Sequence, residues 1–137
     1  MIQYILIAGL FFPSPVYAES TSTPQYIISS KASIEDYITS RAIAYNYRPD
    51  ITVAIAEAES DLNINAKNAS STASGLFQFI NGTFRYYCIE KFEFAKDMSQ
   101  KNDPFIQTEC AVRMLSEGGE SHWKESEHVW GQVASRD

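Results

Sequence analysis

The stretch that most constrains this chain is Ile51 to Ala58, which reads ITVAIAEA directly after Pro49-Asp50. Proline suits the first turn of a helix, where its missing N–H leaves no bond unmade. The residues that follow are small and apolar almost without interruption. A helix of this composition has no polar face to offer water, so it is buried on most sides and other elements must wrap it. The apolar pattern stops at Glu57 and Glu59. Two residues apart on a helix, these carboxylates point in nearly opposite directions, so one can meet solvent while the other faces a cleft. Near a helix C-terminus the dipole disfavours a carboxylate, and partial burial acts the same way. Glu59 is therefore a candidate general acid, a carboxyl that holds its proton closer to neutral pH. The competing reading is a pair of solvated charges at a helix end.

The elements around this helix are expected to be helical too. Ser33 with Asp36 resembles a capping pair, and Ile34, Tyr37, Ile38, Ala42 and Tyr45 then share one face. Asn46-Tyr47-Arg48 interrupts that helix. Asn63 to Ser74 is rich in Asn, Ser and Thr and reads as loop. Gly75 permits a tight turn, after which Leu76-Phe77-Gln78-Phe79 re-enters the core. Thr83 is expected to cap a third helix through Phe84, Tyr87, Cys88 and Phe92. Asp103-Pro104 opens a fourth with Phe105, Ile106, Cys110, Val112, Met114 and Leu115 on its buried side, closed by Gly118-Gly119. The tail places Trp123, Val129 and Trp130 among charges, enough for one short helix closing the core. Core packing is the first reading for these tryptophans and for Phe77, Phe79, Tyr86 and Tyr87, with one or two able to serve as a stacking surface at a cleft edge. No hairpin signal is present, and the fold class is all-α (mainly α).

Several chemistries are excluded by inventory. A net charge of −6 opposes a nucleic-acid partner or a polybasic grip on an anionic surface. No Gly-rich phosphate loop occurs. Cys88, Cys110, His122 and His128 lack the close cysteine pair of a zinc chelate, so no metal and no other cofactor is expected. The two histidines read as surface residues of a charged tail.

Met1 to Ala18 joins a short apolar run to Val16-Tyr17-Ala18, the pattern of a signal peptide cleaved after residue 18. The run is shorter than the roughly 20 residues that span a bilayer, so no stable membrane span is expected once it is cleaved; an uncleaved interfacial anchor is the alternative. Residues 19–30 read as a linker and 31–137 as one domain. An exported chain meets an oxidising compartment, where Cys88 and Cys110 form a disulfide; two free core thiols are the alternative.

Three short segments then carry a resemblance. Glu59-Ser60-Asp61-Leu62-Asn63, Ala73-Ser74-Gly75-Leu76-Phe77-Gln78-Phe79 and Gly82-Thr83 resemble, in order and spacing, the lytic transglycosylase family with its lysozyme-like helical domain. The resemblance covers about Ile34 to Leu115. It implies that Glu59 is the catalytic acid, that Ser60 supports it, and that Asn63, Gly75, Leu76, Phe77 and Gln78 belong to the sugar groove. Phe77 stands where Met is usual and Ile64 where Pro is usual. No Ala-Tyr-Asn motif follows the fourth helix, leaving Ser121-His122-Trp123 or the Trp130 region to replace the family's tyrosine. The implied function is cleavage of the β-1,4 bond between N-acetylmuramic acid and N-acetylglucosamine with a 1,6-anhydro product. Two alternatives stay open: a goose-type-like hydrolytic lysozyme using Asp61, Glu57 or Asp103 to hold water, and a non-catalytic glycan-binding module of a secretion system. The expected partners are peptidoglycan strands and, for targeting, a protein of a secretion machine. The chain is expected to be a monomer, exported to a periplasm or cell wall.

Overall fold

The computed structural model describes residues 30–136, so the signal-peptide reading and nearly all of the linker reading lie outside the described residues. Among the described residues are five α-helices: α1 (Lys31–Ala44), α2 (Pro49–Ser60), α3 (Asn81–Thr83), α4 (Pro104–Ser116) and α5 (Glu127–Ala134). A π-helical segment, Phe84–Lys91, continues α3, and 3₁₀ turns span Met98–Gln100 and Glu120–Ser126. Among the described residues there is no strand, only isolated bridges joining Lys67 to Ser74 and Ser74 to Phe79. The all-α expectation holds.

The apolar run does what its composition requires. Pro49 opens α2, and Ile51 through Ala56 are all buried. Each of Ile51, Val53 and Ile55 contributes about 2 kcal/mol by leaving water. Packed against α2 are α1, α5 and the Glu120–Ser126 turn, while α4 lies on α1 and on the π-helical segment. The central helix is thereby enclosed, and its C-terminal end points at the tail.

Two caps differ from expectation. Ser30, not Ser33, caps α1; Ser33 sits at the third helical position and completes a reciprocal box with Ser30. A serine at each end of the four-residue unit fits the box in either register, and the helix takes the longer one. Thr83 caps nothing: it has helical angles, and α3 begins after Ile80, which offers no side-chain cap. Asp103 caps α4 as expected, its carboxylate accepting from the N–H groups of Phe105 and Ile106. Past α4, Gly118 takes a left-handed φ of +83° and turns the chain.

The buried side of α4 is more polar than the sequence suggests. Gln107 and Thr108 are fully buried, whereas Phe105 and Ile106 are half-buried. Cys88 and Cys110 form a disulfide with a Cα–Cα distance of 5.5 Å, fastening the π-helical segment to α4. Next to Cys110 on α4, Glu109 accepts hydrogen bonds from Tyr37 and Tyr45 and pairs with Arg41, which ties α4 to α1. In the tail Trp123 and Trp130 are buried while Val129 is exposed.

Candidate active site

Glu59 occupies the penultimate position of α2. Directly after it the chain turns sharply: Asp61 and Leu62 both adopt left-handed φ, 54° and 58°. Such a conformation costs a leucine roughly 1–2 kcal/mol. Leu62 is buried, and the apolar area it removes from water offsets that cost. The Asp61 N–H donates to the Glu57 carbonyl at 2.8 Å, closing the helix within two residues of Glu59. Glu59 is thus held on the last turn of a buried helix.

Ser60 works beneath it. Its hydroxyl lies 3.0 Å from the Ala56 carbonyl and 2.8 Å from the Leu76 carbonyl. The second contact couples the end of α2 to the turn Ser74–Phe79. That turn depends on Gly75, whose φ is +82°. A Cβ there would sit 2.1 Å from Gln107 Nε2, so side chain and backbone conformation both require glycine. Gln107 organises the turn from below. Its Oε1 accepts from the Phe77 N–H at 2.9 Å, and its Nε2 donates to the Ser74 and Lys101 carbonyls at 2.9 and 2.7 Å. Gln78, with φ 50°, donates to the Gly75 carbonyl at 2.9 Å and to that of Ala66 at 3.3 Å.

The far wall comes from the tail. The Trp123 indole N–H donates to the Phe77 carbonyl at 3.0 Å, and that of Trp130 donates to the Trp123 carbonyl at 3.0 Å. Trp123 also meets the rings of Phe77 and Phe79 edge-on. Between the two walls lies an open cleft of about 410 Å³. Glu59, Phe77, Gln78, Phe79, Ile80 and Thr83 line it from one side; Ser121, His122, Trp123, Lys124 and Glu125 line it from the other.

Of the residues singled out from the sequence, Glu59, Phe77 and Gln78 meet at this cleft. Ser60, Gly75 and Leu76 lie behind its wall as support. Asn63 is exposed, its side chain accepting from the Asn65 N–H in a local turn. Neither Glu57 nor Asp61 nor Asp103 is among the lining residues. Glu57 is exposed, Asp61 pairs with Lys31, and Asp103 is occupied by its cap. His122 and His128 are exposed, as expected, but His122 lines the cleft, with its Nε2 3.1 Å from the Tyr87 hydroxyl.

Sequence reasoning missed Ser126. Its hydroxyl donates to Glu59 Oε1 at 2.5 Å and also lies 3.1 Å from the Trp123 carbonyl. Nothing local to Glu125-Ser126-Glu127 signals this contact, which joins residues 67 positions apart. Burial pushes the Glu59 carboxyl above the usual glutamate range, and the Ser126 hydroxyl bond pulls partly the other way. The arrangement is that of a half-buried carboxyl at the side of a groove with apolar and polar walls.

The Transglycosylase SLT domain family matches residues 36–131. Curated relatives include proteins called "Probable transglycosylase SceD" from Staphylococcus aureus strains Newman and USA300, each 37% identical over 70 residues. Those matches cover 50% of this chain and 29% of each relative, so the chain spans under a third of their length. No solved structure matches the chain. With the family match running from the second turn of α1 into α5 and taking in Glu59 and every wall of the cleft, the chain belongs to the transglycosylase SLT domain family.

Proposed function

We propose that this domain is a peptidoglycan lytic transglycosylase cutting the β-1,4 bond between N-acetylmuramic acid and N-acetylglucosamine. The observation that carries the reading is the single half-buried carboxyl, Glu59, held at the cleft wall with its proton affinity raised by burial. In the first step Glu59 gives its proton to the glycosidic oxygen as the C1–O bond breaks. The substrate's own acetamido oxygen closes on C1 as positive charge develops there. In the second step the Glu59 carboxylate takes the proton of the C6 hydroxyl. That oxygen displaces the acetamido group from C1 and closes the 1,6-anhydro ring. Each proton that leaves Glu59 returns to it, and no water is consumed.

The placement of the other carboxylates supports this route over hydrolysis. Glu57, Asp61 and Asp103, the candidates for holding a water, all lie outside the cleft lining. Glu125 does line it, but is exposed. Substrate assistance asks for one carboxyl only. The reading includes export to a periplasm or cell wall, glycan strands as the partner, a monomeric domain, and targeting by a protein of a secretion machine.

The test is Glu59→Gln. The amide fills the same space but donates no acid proton, so clearing of purified walls falls by about 10²–10⁴-fold while the fold is kept. Wall clearing that survives this substitution refutes the mechanism. Tight wall binding without clearing by the unaltered protein moves the chain to the glycan-binding module.

A further inference from the structure

Ser126 sits where its one hydroxyl proton has two acceptors. Glu59 Oε1 is 2.5 Å away and the Trp123 carbonyl is 3.1 Å away. A serine hydroxyl donates once and accepts twice, and a carbonyl oxygen has two lone pairs. The Trp123 carbonyl is a shared acceptor that also takes the Trp130 indole N–H, at 3.0 Å. We propose that Ser126 is a positioning residue that switches its hydrogen bond with each half of the reaction, serving Glu59 both as acid and as base. This rests on the reading of Glu59 given above and deepens it.

The two states follow from donor counting. When Glu59 is ionised, the Ser126 hydroxyl donates to Oε1. When Glu59 carries the proton before substrate arrives, that carboxyl O–H can donate to Ser126 Oγ while the serine proton turns to the Trp123 carbonyl; a bound glycosidic oxygen then replaces Oγ as the acceptor. Both protonation states of the half-buried carboxyl keep a partner, and the carboxyl keeps its orientation throughout. A buried group that lost its partner on half of each cycle would incur a desolvation cost in that state. The device is local: residues 123 and 126 lie in one 3₁₀ turn, and the Trp123 and Trp130 indoles fix that turn to the cleft wall.

The charged surroundings of Glu59 are shared by every variant proposed here. His122, Lys124 and Glu125 border the cleft from the Glu120–Ser126 turn. Glu127 opens α5, Glu57 lies on α2 itself, and Asp61 at its end is paired with Lys31. A change specific to Ser126→Ala therefore reports on the hydroxyl.

The experiment compares the unaltered domain with Ser126→Ala and Ser126→Thr in two readouts. One is the pH profile of kcat and KM on soluble glycan strands; the other is NMR titration of the Glu59 carboxyl without substrate. Ser126→Ala takes a charge-assisted bond from ionised Glu59 and only a weaker neutral one from the protonated form, so Glu59 titrates at higher pH and the alkaline fall in activity moves up with it. A hydrogen bond to a charged group of this kind corresponds to about a ten- to hundred-fold loss in kcat, with KM changing little. Ser126→Thr, which keeps the hydroxyl, restores both. An unmoved Glu59 titration in Ser126→Ala overturns the proposal, as does a kcat loss that threonine fails to rescue. The titration needs no turnover, so it decides the role of Ser126 even if Glu59→Gln proves active and the transglycosylase mechanism fails.

Discussion

Replacing Gln107 with leucine tests whether the cleft floor is held by polar bonds inside the core. The side chain is fully buried and its volume is close to that of leucine, so packing changes little. What goes is the set of three bonds to the Phe77 N–H and the Ser74 and Lys101 carbonyls. Each buried group left without its partner costs about 1–3 kcal/mol. Relaxation of the turn recovers part, which leaves a net loss of about 3–6 kcal/mol against a typical domain stability of about 5–15 kcal/mol. In urea, with a slope of about 1–3 kcal/mol/M, the midpoint falls by about 2 M at unchanged slope. Activity falls as well, because Phe77 and Gln78 sit on the released turn. A midpoint shift below about 0.5 M refutes the argument and means that Gln107 does not organise the turn.

Three further predictions concern Glu59 and the disulfide. The acid is needed protonated for the first step and its proton affinity is raised, so activity is present at lower pH and lost as pH rises through the folded-state value, above the usual glutamate range; a pH–rate profile of kcat/KM checks this. The same shift makes ionised Glu59 a liability to the fold: stability declines from the unfolded-state value upward and levels above the folded one, so Glu59→Gln at neutral pH is at least as stable as the parent in thermal melts. Opening the Cys88–Cys110 bridge, whose cysteines are 22 residues apart, costs about 3 kcal/mol by loop entropy, measurable as a lower urea midpoint for the Cys88→Ser, Cys110→Ser double variant.

What was legible in the sequence is what local chemistry decides. Pro49 before an apolar run gave α2 and its burial, and Asp103-Pro104 gave the start of α4, because caps and proline act within one turn. Glu59 stood out because a carboxylate follows a run with no polar face. Position alone did not separate the supporting residues from the lining ones. Gly75 and Leu76 share a motif with Phe77 and Gln78 yet lie behind the wall. The π-helical form of Phe84–Lys91 has no compositional signature, and Thr83 therefore looked like a cap when it is an interior residue. Gln107, Lys101 and Ser126 were illegible for a common reason. Each is a polar residue whose partners lie on distant elements: Gln107 on the Gly75 turn, Lys101 on Thr72 and Asn81, Ser126 on Glu59. No periodicity reports such pairings, because burial of a polar group is decided by the partner it meets.

The central claim is that Glu59 acts first as acid and then as base on a substrate that closes on itself. The most direct measurement is the mass of soluble fragments released from purified peptidoglycan by this domain. The account predicts muramic ends lighter than hydrolysis products by one water, the mark of the 1,6-anhydro ring. Fragments with full reducing ends contradict it: water would then be the nucleophile, and a second carboxylate, with Glu125 the one placed at the cleft, would have to hold it.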